Sequence, residues 1–207
     1  MRHNLTKNQI IAIIGLFLIF ILVLFFVLNN NYVEVHLDGE NITTTIITAL
    51  FIHDSETISN QINEYTMKTT NNDYDSNISN LKEGIRNITK KHGMNNADIV
   101  INSKYGENQI PILFTVNGTS MDPTLKDNQD IIILKTKDIH VGDIVVSNDS
   151  EYGIIVKRVS EINGTGIYLT SDNKEIETEY INGIEYKKEG IKTWNNLSDI
   201  IGIVKEY

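Results

Sequence analysis

The longest uninterrupted apolar stretch runs from Ile10 to Leu28, and only Ala12 and Gly15 relieve its bulky side chains. At about 1.5 Å of rise per residue, a helix of this length matches the hydrocarbon thickness of a bilayer. No polar position marks a solvent face within it, which argues against a helix of a globular core. Beyond it the hydrophobic period shortens. Tyr32-Val33-Glu34-Val35-His36-Leu37 alternates as a half-buried strand does, and the β-branched run Thr43–Phe51 predicts a second strand. Asp54, Ser55 and Glu56 open a helix that carries Ile58, Ile62 and Tyr65 on one face. After a polar break from Asn71 to Ser76, Ile78, Leu81, Ile85 and Ile88 recur at helical spacing. That helix ends in Lys90-Lys91-His92-Gly93, with cations in the last turn and glycine just beyond it. Ala97–Asn102 predicts a returning strand. Residues 30–104 thus form a small α+β module with no catalytic constellation.

From about residue 105 to 207 the pattern is one of short strands and frequent turns. Strands are predicted at Ile112–Val116, Ile131–Lys135, Asp143–Val146, Gly153–Ser160, Ile167–Thr170 and Ile200–Val204. Asp127-Asn128-Gln129-Asp130, Val141-Gly142-Asp143, Ser147–Ser150 and Asn163-Gly164 supply the turns. Such spacing predicts a compact, coiled β domain. The fold class is therefore mainly β, preceded by one transmembrane helix (residues 1–29 with its flank) and the α+β module.

Charge gives the membrane helix a direction. Arg2, His3 and Lys7 precede it, whereas no lysine or arginine follows until Lys68. The positive-inside bias places the N-terminus in the cytoplasm and the rest outside, in a single-pass arrangement. The end of the run, Phe25-Phe26-Val27-Leu28-Asn29, lacks a small-x-small cleavage site, so an uncleaved anchor in the lipid bilayer is expected. The chain has 207 residues and a formal net charge of −9, a balance that argues against a nucleic-acid partner. It has no cysteine, which excludes disulfides and thiol catalysis. His3, His36, His53, His92 and His140 are scattered without metal-ligand spacing, so neither metal nor cofactor is expected.

The chemistry-bearing residues are Ser120 and Lys157. Ser120 lies in Val116-Asn117-Gly118-Thr119-Ser120-Met121-Asp122-Pro123-Thr124-Leu125, and Gly118 suits a tight bend after a strand. Such a bend would present the hydroxyl at the strand's end with its backbone N–H free, as an oxyanion hole requires. Met121 offers an apolar anchor and Pro123 restricts the following turn. Lys157 falls within Ile154-Ile155-Val156-Lys157-Arg158-Val159. Strand alternation puts Ile155 and Val159 on its face and Val156, Arg158 and Ser160 on the other. A lysine between two branched aliphatics loses water, and desolvation favours its neutral amine. The charge of Arg158 would act in the same direction, but it faces away and is screened. A neutral amine can take the proton of a serine hydroxyl and return it to a leaving amine.

These strings resemble those of the serine–lysine peptidases of the signal peptidase I and LexA-like group. Gly118–Leu125 is similar to the nucleophile box, Gly142-Asp143-Ile144-Val145 to a G-D-I/V-V strand, and Val156-Lys157-Arg158-Val159 to the general-base box. Ser171-Asp172-Asn173 is similar to a late (G/S)-D-N box, and Ile201-Gly202-Ile203-Val204 closes the match, which covers about the last half of the chain. The resemblance implies a signal-peptidase/LexA-like coiled β barrel, with Ser120 as nucleophile and Lys157 as general base. Gly118 stands where many signal peptidases carry a hydroxyl residue, so backbone donors must serve the oxyanion. The serine and acidic group that normally orient the lysine are replaced by Lys174–Glu179, which leaves Asp172, or more weakly Glu177 or Glu179, to orient it.

With the anchor, the resemblance implies a membrane-bound serine endopeptidase that removes signal peptides from exported preproteins. Such enzymes cut after small residues at the first and third positions before the scissile bond. Two alternatives stay open: an anchored LexA-like peptidase acting on itself or a dedicated partner, and a non-catalytic module that binds extended peptides by strand addition.

Overall fold

A computed structural model of the chain describes residues 6–28, 31–48, 54–74, 76–175, 177–182, 184–188 and 190–207. The first element, α1 (Lys7–Leu28), is the apolar helix. Its span Lys7–Phe25 is long and apolar enough to cross a membrane, and none of it is buried within the protein. A membrane anchor and a signal sequence share that character. The flanking Arg2 and His3 lie outside the described residues.

The module begins with β1 (Asn31–Leu37) and β2 (Ile42–Thr48), an antiparallel hairpin. The expected continuation of the second strand through Ala49–Phe51 lies outside the described residues. α2 (Ser55–Asn72) is capped by Asp54, whose side chain accepts from the Thr57 N–H. α3 (Ile78–Lys91) is capped in the same way by Asn77. β3 (Ala97–Ser103) then returns parallel to β1, and the short β4 (Gly106–Glu107) completes a sheet of order β2-β1-β3-β4. Alternation sorts β1 as its sequence predicts, with Val33, Val35 and Leu37 buried. They pack with Ile58 and Ile62 of α2 and Leu81 and Ile85 of α3.

The second region is a curled antiparallel sheet. Its strands are β5 (Pro111–Thr115), β6 (Asp130–Leu134), β7 (Ile144–Asp149), β8 (Gly153–Asn163), β9 (Gly166–Thr170), β12 (Lys192–Asn196) and β13 (Ile200–Glu206), after a single 3-10 turn at Leu197–Asp199. Between β9 and β12 a separate hairpin pairs β10 (Glu177–Ile181) with β11 (Ile184–Lys188). The seven-stranded order is β12-β9-β8-β7-β13-β6-β5, so β5 and β12 are its edges. The mainly β fold expected from the strand spacing is thus present, with all six anticipated strands of this region.

β12 escapes the periodicity test for a physical reason. Lys192-Thr193-Trp194-Asn195-Asn196 carries one large apolar residue, Trp194, and that side chain is exposed against Tyr168 at a ring separation of 5.0 Å. The strand's buried residue is Asn195, whose Nδ2 donates to Ser147 Oγ at 2.7 Å. A buried side-chain hydrogen bond rather than hydrophobic alternation marks this edge.

Two apolar clusters hold the sheet. One joins the module to β5, β6 and the loop after β5, through Ile112, Val116, Met121, Leu125, Ile131 and Ile133. The other lies within the curl and comprises Ile139, Val145, Ile155, Val159, Ile167, Leu169, Ile200 and Ile203. β13 serves both, because Ile201 and Val204 belong to the first and Ile200 and Ile203 to the second. Its close approach to β6 depends on Gly202: a Cβ there would stand 2.2 Å from the backbone oxygen of Leu134, which cannot swing aside as a side chain can. Gly202→Ala is therefore expected to destabilise the fold by on the order of 3 kcal/mol. Chemical denaturation of the two proteins checks this as a lower midpoint at unchanged slope.

Candidate active site

β5 ends at Thr115, and the chain is then pinned before it turns. The Val116 N–H donates to Gln129 O at 2.8 Å and the Asn128 N–H to Val116 O at 2.9 Å. Gly118 follows with φ +92°, a left-handed value that other residues rarely adopt. No atom lies within 4 Å of a Cβ built there, so backbone conformation, not space, calls for glycine. Its N–H donates to Asp127 Oδ1 at 2.7 Å. The Gly118 N–H is thus committed to Asp127, and the residue's part is to shape the bend. Met121 is fully buried in the first apolar cluster with Leu125. Thr124 and Leu125 N–H groups both bond to Met121 O, closing the turn behind the nucleophile candidate.

Ser120 is thereby held half-buried at the end of the bend. Among the described residues its N–H has no protein acceptor. Its hydroxyl faces β8. Lys157 of that strand is 2% exposed, on the same face as Ile155 and Val159 and opposite Val145 of β7. Lys157 Nζ stands 2.7 Å from Ser120 Oγ and 2.8 Å from the carbonyl oxygen of Val156. As an ammonium it donates to both. As a neutral amine it keeps a donor for Val156 and presents its lone pair to the serine proton.

Burial brings the Lys157 pKa down from the ordinary 10.5 to about 8, and the negative charge of Asp172 opposes part of that fall. Arg158 turns to the other face of the strand, as its position there predicts, and is neutralised by Asp172, with Nε 2.7 Å from Oδ1 and Nη2 2.5 Å from Oδ2. Its remaining Nη1 donates to Gly142 O at 2.8 Å. The guanidinium in turn holds the Asp172 carboxyl below the usual carboxylate range.

Asp172, the expected orienting group for the lysine, is bonded elsewhere. Its bonds go to Arg158 and to Thr124 Oγ1 at 2.7 Å, not to Lys157. The Lys157 amine is steered by the Val156 carbonyl of its own strand instead. The side chains of Glu177 and Glu179 lie outside the described residues. Thr124, Arg158 and Asn173 all stand in the segments around Ser120, Lys157 and Asp172, yet their parts are not evident from the sequence. The missing signal was a partner for Asp172: a charge beside an apolar strand needs an opposite charge.

A groove of about 480 Å³ opens over the pair. Phe114, Thr115 and Val116 of the β5 edge form one wall, and Ile154, Val156 and Lys157 of β8 form the other. Ile131 and Val146 lie between them, and Tyr152 stands at the β7–β8 turn. Thr115, Asn117, Ser120, Tyr152 and Lys157 bring polar atoms to its apolar walls, and it runs beside the β5 edge of the sheet.

This fold and these strings belong to a known class: the Peptidase S24-like family model matches residues 78–193, and the chain is a member of that family. Among individual proteins, it is 37% identical over 86 residues to Signal peptidase I U of Bacillus subtilis (strain 168). That match covers 37% of this chain and 45% of the relative, so the chain spans less than half the length of the curated protein it matches.

Burying Lys157 costs stability. A folded-state pKa of about 8 against an ordinary 10.5 means that the unfolded chain binds the proton more tightly. The penalty is complete below about pH 8 and vanishes above 10.5, at about 3 kcal/mol in full. Lys157→Met is therefore expected to raise the unfolding free energy near pH 7 by up to about 3 kcal/mol. The gain should shrink as pH rises from 8 to 10.5, which denaturation curves across that range would read.

Proposed function

We propose that this chain is a membrane-anchored serine endopeptidase that cleaves signal peptides from exported preproteins, with Ser120 as nucleophile and Lys157 as general base. The observation that carries the reading is the 2.7 Å approach of a buried, easily neutralised amine to a hydroxyl at the mouth of a groove. A substrate segment lies extended along the β5 edge, its backbone pairing with the strand and its side chains entering the groove. Small residues at the first and third positions before the scissile bond are the expected preference. The neutral Lys157 amine takes the Ser120 proton as Oγ attacks the peptide carbonyl. The developing oxyanion is met by the Ser120 N–H. The Lys157 ammonium then returns the proton to the leaving amine, and the acyl-enzyme is released by a water that the same amine deprotonates.

The apolar α1 supports an anchored arrangement in which the β domain acts outside the membrane on chains that have just crossed it. The match to the Peptidase S24-like family supports a second reading, in which the same chemistry is turned on the chain itself or on one dedicated partner. Purified full-length protein in detergent, given a preprotein, separates the two. Ser120-dependent removal of the signal peptide from several preproteins, with the enzyme itself intact by mass spectrometry, is the expected result. A Ser120-dependent cut within the chain and none in the preproteins would favour the second reading.

Ser120→Ala and Lys157→Ala are each expected to reduce cleavage by at least about 10³-fold, since neither group works without the other. Activity retained in either variant would refute the assignment. In the unaltered enzyme kcat/KM should rise with pH through about 8, because only the deprotonated amine is a base. A pH–rate profile with no inflection near that value would count against Lys157 as the base.

A further inference from the structure

Asn173 follows Asp172 in the segment after β9, and its side-chain amide is fixed at both ends. Oδ1 accepts from the Glu175 N–H at 2.8 Å, and Nδ2 donates to the Thr119 carbonyl at 3.1 Å. The first bond assigns the amide's orientation, because only an oxygen can face that N–H. The backbone N–H of Asn173 adds a bond of 3.0 Å to Ser120 O. One residue therefore grips the carbonyls on either side of Ser120.

The Thr119 carbonyl and the Ser120 N–H belong to a single peptide unit. That unit is planar and trans, so its C=O and N–H point in opposite directions. Whatever holds the carbonyl aims the N–H. Thr119 O also accepts from the Asp122 N–H at 3.0 Å, so two donors hold the unit from behind. Hydrogen bonds to a carbonyl polarise its amide, which makes the N–H at the far end a stronger donor. That far end is the Ser120 N–H, which has no protein acceptor among the described residues. The Gly118 N–H is bound to Asp127, whereas the Ser120 N–H, beside the hydroxyl, is a backbone donor that can meet an oxyanion there.

We propose that Asn173 is a positioning residue for the oxyanion donor: through the Thr119 carbonyl its side chain aims and polarises the Ser120 N–H. The inference rests on the peptidase reading and goes beyond it by linking the loop after β9 to transition-state stabilisation rather than to substrate binding or to the base. Its side-chain bond can be removed alone, because the backbone bond to Ser120 O survives any substitution other than proline.

The test uses the full-length protein in detergent with a fluorogenic peptide bearing alanine at the first and third positions before the scissile bond. Asn173→Ala removes the donor. Asn173→Asp keeps an acceptor for the Glu175 N–H but sets a carboxylate oxygen against the Thr119 carbonyl. Outright loss of an oxyanion donor costs about 10²–10³ in kcat, so loss of one of its two anchors should cost about tenfold to a hundredfold, more for Asp than for Ala. KM should stay within about twofold, and the pH–rate inflection should stay where the unaltered protein has it. Affinity for a peptide boronate, whose tetrahedral adduct places an oxygen at the same donor, should fall by the same factor as kcat.

Full kcat in both variants overturns the inference. So does a loss carried by KM, or one accompanied by a shifted inflection, since either would mean that Asn173 acts on binding or on the base. Asn173→Ser, which shortens the side chain and leaves the backbone bonds, decides the question if the other two variants fail to fold. Absence of Ser120-dependent turnover in the unaltered protein would instead overturn the peptidase reading, and this inference with it.

Discussion

An amine inside an apolar sheet is tolerated only where its few bonds are well made. Lys157 has two, to Ser120 Oγ and to the Val156 carbonyl, and Ile155, Val159 and Val145 exclude water from the rest of its face. That exclusion both lowers its proton affinity and makes the serine hydroxyl its only side-chain partner among the described residues. The two effects cannot be separated. A lysine with more acceptors around it would be better satisfied, more firmly protonated and useless as a base. The arrangement opposes stability to reactivity, and the surrounding sheet must supply the difference.

The sheet does so by placing the two groups in different cores. Met121 and Leu125 root the bend behind Ser120 in the cluster shared with the α+β module. Lys157 extends from a strand whose neighbours Ile155 and Val159 belong to the cluster inside the curl. Ser120 and Lys157 meet at the seam between these clusters. The strand β13 ties them together, since alternate residues of Ile200–Val204 serve one and then the other. This gives the module a physical part in the site even though, among the described residues, it contributes no side chain to the groove. Its helices and sheet fill the cluster on which the Ser120 bend rests.

The candidate pair was legible from sequence because each partner obeyed a local rule. A glycine ahead of a serine signalled the bend, and the φ of +92° at Gly118 is the conformation that signal implies. Period-two alternation put Lys157 with Ile155 and Val159, and all three are buried. The α2 and α3 helices were readable for the same reason, through an Asp54 cap and a helical stripe of isoleucine and leucine. What stayed hidden depends on contacts between distant segments. Asp172 is the sequence's foremost orienting group for the lysine because the usual serine and acidic group are replaced, yet its bonds go to Arg158 and Thr124. No local pattern distinguishes those choices, since the three residues come together only when β8, β9 and the Ser120 loop are assembled. Lys192–Asn196 was equally opaque, because an edge strand whose buried residue is Asn195 carries no hydrophobic period.

The Arg158–Asp172 pair also explains how the site manages without an acidic group on the lysine. A carboxylate in contact with Lys157 would stabilise the ammonium and push its pKa back toward the ordinary range. Here the nearby carboxylate has its charge spent on a guanidinium that points to the other face of β8 and anchors on the Gly142 carbonyl. Its second oxygen is shared with Thr124, which lies four residues beyond Ser120. Asp172 and Asn173 thus fasten the Ser120 loop at two points, Thr124 and the Thr119 carbonyl, without touching the amine. The lysine is oriented by a neutral carbonyl from its own strand, which fixes direction but adds no full negative charge. Steering by a dipole and fastening by a neutralised ion pair leave desolvation as the dominant influence on Lys157, and that is the condition under which a lysine can serve as a base near pH 8.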